Sequence, residues 1–193
     1  MEFGFEMLSI EPSRALAPYV FLLALVLTAI AAWTDWRGGH ISNYLTLPPV
    51  VLGPIAYGLA FGLNGFLGSI FAIVLCGLGP YLVFRIGGMA GGDVKLFAAL
   101  AAICGPNLAL EAQFFALVVA AIYALGRLTW DGKLFRTLSN VVFIMLNPLL
   151  PKRWRRGMSN ELMERLRLGG AIFAGVFFAI LGRYQVALFG LAA

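Results

Sequence analysis

Charge is scarce in this chain. Only 12% of its 193 residues are charged, with 14 Lys and Arg, 9 Asp and Glu, and a single histidine. A soluble domain carries about a quarter charged residues, so a water-facing globular surface is excluded. Cysteine is nearly absent. Cys76 and Cys104 lie within or beside apolar runs and form no Cys-x-x-Cys pair, which excludes a zinc ribbon or a disulfide scaffold. His40 stands alone and reads as a solvated loop residue. Ser42, Ser69, Ser139 and Ser159 have no Gly-x-Ser-x-Gly setting. With no metal-ligand cluster, neither a metal nor a cofactor is expected. There is also no alternating pattern in segments of about ten residues, so a β-barrel is not indicated. No fixed-period repeat or low-complexity tract stands out. The first 18 residues hold Glu2, Glu6 and Glu11 against Arg14, the wrong sign for a secretory signal.

What is abundant is long apolar sequence: 61% of residues are hydrophobic. The runs predict an all-α, polytopic membrane protein with six transmembrane helices. They fall at about 16–33, 41–62, 66–86, 93–104, 108–125 and 168–181. Pro48, Pro49 and Pro54 should kink the second, and Gly79-Pro80 should bend the third. Asn64-Gly65 marks the turn between them. The fourth is short: twelve residues rise about 18 Å against a hydrocarbon core of about 30 Å. A loop at 87–92 dipping into the membrane would supply the missing depth. Residues 127–167 hold nine Lys and Arg and only a short apolar stretch at 141–146. They read as an amphipathic segment on the membrane surface between helices five and six, with Trp154 as an anchor. The whole of 1–193 reads as one integral-membrane domain. The net charge of +5 fits the positive-inside rule better than a nucleic-acid partner. Twelve of the 14 basic residues fall in the loops after spans one, three and five; Arg14 and Arg183 fall on the other side. Those loops are therefore expected in the cytoplasm, and both termini outside.

Against this apolar background two acids stand out. Asp35 ends the first span, and Asp93 follows Gly87-Gly88-Met89-Ala90-Gly91-Gly92 at the start of the fourth. An acid at membrane depth is costly and marks a functional site by default. The plainer alternative is a flexible turn with Asp93 as an ordinary helix N-cap. The topology places both acids at the cytoplasmic ends of their helices, at one depth. Two close carboxyl groups cannot both ionise cheaply and share a proton. The ionised one can take a proton from water while the other donates to a peptide carbonyl, as in aspartic proteases. Because Asp35 closes a helix and Asp93 opens one, the helix dipoles make Asp93 the expected water-activating member and Asp35 the carbonyl-polarising one. Lys95 should snorkel to the interface.

These residues resemble the type IV prepilin peptidases, membrane aspartic proteases with a Gly-x-Gly-Asp motif. The resemblance is to the short members of tight-adherence (Flp-type) systems, which lack a methylation domain. It runs through Asp35-Trp-Arg-Gly-Gly-His-Ile41-Ser42-Asn43 and through Ala90-Gly91-Gly92-Asp93-Val94-Lys95. Ala90 replaces the first motif glycine, and Ser42 replaces a proline. The resemblance implies Asp35 and Asp93 as catalytic residues. It also implies an active-site loop of Ala90, Gly91, Gly92 and Lys95, supported by Ile41, Ser42 and Asn43. The implied substrate is a prepilin, cut at the cytoplasmic face of the bacterial inner membrane between a short basic leader and a hydrophobic helix. Relatives that also N-methylate use a domain with paired Cys-x-x-Cys motifs, so peptidase activity alone is expected here. The other readings are a proton- or cation-coupled transporter using the two acids, a non-catalytic scaffold for export or pilus assembly, and a presenilin-like intramembrane protease. Both acids near one face, and no internal two-fold repeat, weigh against transport. The oligomeric state is not expressed in the sequence.

Overall fold

The computed structural model describes residues 16–85, 88–130 and 168–188, which hold helices and short turns and no strand. In chain order the elements are α1 (Ala17–Gly38), α2 (Asn43–Arg85), α3 (Gly91–Cys104), α4 (Pro106–Trp130) and α5 (Gly169–Leu188). The chain forms two compact units, Met1–Leu117 with Arg167–Ala193, and Val118–Leu166. The site described below lies in the first. The surface segment expected over 127–167 lies outside the described residues from position 131 on; residues 127–130 continue α4.

Three helices are long and apolar enough to cross a membrane: α1, α2 and the Pro106–Arg127 part of α4. The spans expected at 41–62 and 66–86 are one element, α2, broken at Gly62 and not at Asn64-Gly65. Gly62 has φ 68° and ψ −156°, a region essentially restricted to glycine. There the chain turns back on itself. Gly65 lies against the Tyr57 carbonyl, and Phe66 comes within 3.2 Å of where a Cβ on Gly58 would be. In a straight helix residues eight apart would be about 12 Å apart along the axis. The two limbs, about 19 and 23 residues, run for about 29 and 35 Å. Pro48, Pro49, Pro54 and Pro80 are all accommodated within them.

α3 is the buried centre. Leu96, Phe97 and every residue from Ala99 to Cys104 are buried. A helix leaves its last carbonyls without partners, which hydrocarbon cannot tolerate. Here each of three finds a donor. The Gly105 N–H reaches Ala101 O at 3.0 Å, Ser69 Oγ donates to Ala102 O at 3.3 Å, and Tyr57 OH to Ile103 O at 3.0 Å. Ser69 and Tyr57 come from opposite limbs of α2, so the fold-back at Gly62 is what lets a 14-residue helix end inside the protein. α1 packs against α5 and along α3. α5 meets α4 where Gly175 leaves no room for a Cβ, which would lie 2.5 Å from Ala112 O and Ala116 N. A paired Arg183–Glu111 contact, 3.0 Å at each of two bonds, also joins them. Arg183 is about 21 Å along α5 from Gly169, far from the acid-bearing end.

Candidate active site

Asp35 lies one turn before the end of α1. The helix stops because Gly39 takes a left-handed conformation (φ 67°) and returns its N–H to Asp35 O at 2.9 Å. The buried face of α1 reads Ala24, Leu27, Thr28, Ala31, Asp35, so the acid continues the stripe that packs inward. Ser42 opens α2 by accepting the Tyr44 N–H on its Oγ at 3.3 Å, an N-cap bond that the expected proline could not make. His40 is exposed and bonds locally to Gly38 O, as a loop histidine should.

The second motif is built on the start of α3. Ala90 is its N-cap residue, with φ −81° and ψ 150°. That is ordinary extended backbone, so alanine in place of the motif glycine causes no strain. Asp93 is therefore the third residue of the helix and not its N-cap. Its Oδ2 accepts the Ala90 N–H at 3.3 Å, the acidic half of a capping box. Gly92 is tight for a different reason: a Cβ there would lie 3.1 Å from Ile41 Cβ and 3.4 Å from Ile41 N. Ile41, itself buried, thus presses the first motif onto the second. Gly91 has only ordinary contacts, with Phe84. Lys95 does more than snorkel, since its Nζ donates to Asn43 Oδ1 at 2.8 Å and ties α3 to the start of α2. From this geometry Gly92→Ala should lower activity several-fold by pushing Ile41 and α3 apart. Ala90→Gly should leave activity within about twofold, since no φ constraint is relieved there. Parallel initial-rate assays of the two variants check the contrast.

The two acids come together although 58 positions separate Asp35 from Asp93. Asp35 is 7% exposed and Asp93 4%, and Asp35 lies near enough to act on Asp93 through its charge. Each has one oxygen committed. Asp35 Oδ2 accepts the Gly169 N–H at 2.9 Å, and Asp93 Oδ2 accepts that of Ala90. Neither Oδ1 has a hydrogen-bond partner among the described residues. Each acid therefore keeps one oxygen available to exchange a proton with a water or a substrate. Gly169 is the residue that sequence reasoning missed. It changes the electrostatics expected for Asp35, which lies near the negative end of α1 but also takes the first N–H of α5. Each acid thus accepts one backbone N–H at a helix start, at 2.9 Å for Asp35 and 3.3 Å for Asp93. No signal near Asp35 in the sequence points to a partner 134 residues away.

Among the described residues no group of three or more His, Cys, Asp or Glu could hold a metal ion. A groove of about 400 Å³ runs between α1 and the first limb of α2. It is lined by Leu23, Leu27, Pro48, Leu52 and Ala56, among other apolar residues.

No solved structure matches the chain. A prepilin peptidase, EppA of Methanocaldococcus jannaschii, is 33% identical over 84 residues. The alignment covers 44% of this chain and 23% of that protein, so the chain matches less than a quarter of its relative's length. The sequence model of the type IV leader peptidase family matches residues 21–125, more than half of the chain and both acid motifs, and the protein belongs to that family.

Proposed function

We propose that this protein is a membrane aspartic endopeptidase that removes the short basic leader of type IV prepilin-like substrates. The observation that carries the reading is the convergence of Asp35 and Asp93. They are two buried acids from different helices, each with one oxygen fixed by a backbone N–H and the other free. In the reaction one carboxylate takes a proton from water as its oxygen attacks the scissile carbonyl carbon. The other, protonated, carboxyl gives its proton to the carbonyl oxygen. Collapse of the tetrahedral intermediate breaks the C–N bond: the departing amine takes up the first proton, and a hydroxyl of the diol returns the second to the carboxylate that gave it, leaving a carboxylic acid. No metal or cofactor is needed for this chemistry. The apolar groove beside α1 is lined toward the end of α3 that lies away from Asp93, and would receive a hydrophobic helix rather than the scissile bond.

The finer reading is a peptidase of the tight-adherence (Flp) type acting without N-methylation. Residues 1–193 form one peptidase domain of six spans in the bacterial inner membrane, partnered by prepilin and lipid. The acids face the cytoplasm and the termini face outward. The folding back of α2 supports counting it as two spans, and the distribution of basic residues supports the orientation. Cysteine labelling should find Gly88→Cys and Lys152→Cys accessible from the cytoplasm and Asn64→Cys from outside. External labelling of Lys152→Cys would overturn the orientation.

The activity itself is tested by co-expressing a candidate prepilin with the wild type or with Asp93→Asn, and sizing the pilin. Cleavage by the wild type alone supports the peptidase. No cleavage of any candidate, with proton or cation flux that Asp93→Asn abolishes, would favour a transporter.

A further inference from the structure

We propose that the backbone amide of Gly169, at the start of α5, is a positioning element of the active site. It fixes the Asp35 carboxyl group so that Oδ1 faces the reacting atoms. The inference rests on the reading of Asp35 and Asp93 as the catalytic pair. It adds a residue from outside the 21–125 stretch that the family model covers.

Four observations carry it. First, α5 begins at Gly169, and the Ile172 N–H already returns to Leu168 O at 2.9 Å. The Gly169 N–H is thus one of the donors that a helix start leaves unpaired. Second, it is spent on Asp35 Oδ2, at 2.9 Å and buried. Asp35 has no side-chain hydrogen-bond donor among the described residues, so this one bond sets the rotation of its carboxyl group. Third, the approach requires glycine for space and not for backbone freedom. Gly169 has no positive φ, but a Cβ there would lie 2.9 Å from both Asp35 Cβ and Oδ2 and 3.2 Å from Ala32 Cα. Fourth, the next residue gives an internal comparison, since a Cβ on Gly170 would meet nothing within 4 Å.

An N–H fixed on Oδ2 makes that oxygen an acceptor in every step. The proton that the pair exchanges with water or with the peptide carbonyl then moves through Oδ1. The end of a helix holds the donor in place without any side-chain reorganisation as charge develops. The last helix of the fold, which carries no acid of its own, thereby becomes part of the catalytic apparatus.

The test uses full-length enzyme in lipid vesicles and a prepilin substrate, with kcat and KM measured separately per folded molecule. Replacing Gly169 by glycolic acid through cell-free translation turns its N–H into an ester oxygen with no added atom in the contact. We expect kcat to fall about tenfold or more with KM within about twofold, the pattern of a lost transition-state interaction. Gly169→Ala should lose at least as much, and Gly170→Ala should match the wild type. Wild-type kcat in the ester enzyme overturns the proposal, as does an equal effect of alanine at 169 and 170. Should Gly169→Ala fail to fold, the ester enzyme still decides. Asp35→Asn and Asp93→Asn are assayed alongside. If both are inactive and the ester enzyme is not impaired, only the role of Gly169 fails. If either stays active, the catalytic reading falls with it.

Discussion

Asp35→Asn and Asp93→Asn should each slow leader cleavage on the order of 10³-fold, since a positioned acid or base contributes about 10² to 10⁴. Asparagine keeps the planar shape and an acceptor oxygen. The Gly169 and Ala90 N–H groups can still be satisfied, and insertion and abundance should stay near wild type. What asparagine cannot do is cycle a proton. Because the two acids act as a unit, the double variant should be little worse than either single one. Quantitative cleavage assays with immunoblots of the membrane fraction read both quantities. Full activity in either single variant would refute the pair. Loss of the protein itself would return Asp93 to a purely structural role at the start of α3.

Gly53→Val should be strongly destabilising. Gly53 sits where the first limb of α2 crosses α3, and a Cβ there would lie 2.5 Å from Ala102 O and 2.8 Å from Ala102 C and Cβ. The obstacle is mainly helix backbone, so nothing can swing aside. The same carbonyl accepts the Ser69 hydroxyl, so displacing it also strands a buried donor. Overpacking of this kind costs about 1–3 kcal/mol, and rigid neighbours put the expected cost at or above the upper end. α3 carries Asp93 at its other end, so activity should fall with stability. Gly77→Ala is the control, because its Cβ would have only Ala98 Cβ near it, at 4.0 Å. Thermal unfolding in detergent should separate the two variants by several degrees. Equal melting temperatures would mean that α2 and α3 do not cross as described.

Much of this architecture was legible in the residues, and the parts that were not share a cause. The helical, membrane-embedded class followed from long apolar runs. Asp35 and Asp93 were conspicuous because so few charges interrupt those runs. The short fourth helix was visible too, as α3. What hides in such a sequence is which face of each helix meets which neighbour. In a soluble protein the polar side of a helix identifies the apolar side as the packed one. In a membrane helix the lipid-facing and protein-facing sides are both apolar, and packing is decided by small residues and shape. Thus Gly53 and Gly175 looked like any other glycines, and Asn64-Gly65 looked like a better turn than Gly62. Ala90 was a departure from the motif whose consequence the residue type alone left open; its backbone is ordinary and the steric demand falls on Gly92. Lys95 was read as reaching for the interface, when a neighbouring Asn43 lay within reach.

The sequence by itself determined that the chain is a helical membrane protein, and that two acids, at positions 35 and 93, are its chemically exceptional groups. Both follow from the cost of charge in hydrocarbon, which acts locally on each residue and so leaves its mark in the sequence. Only the tertiary structure decided how α3 ends, through Ser69 and Tyr57 from the two limbs of α2, and what holds Asp35, through the Gly169 amide. Those partners are backbone groups and small residues. Every residue but proline carries an N–H, and nothing in the one-letter code says which of them is left free and aimed at a carboxylate 134 residues away.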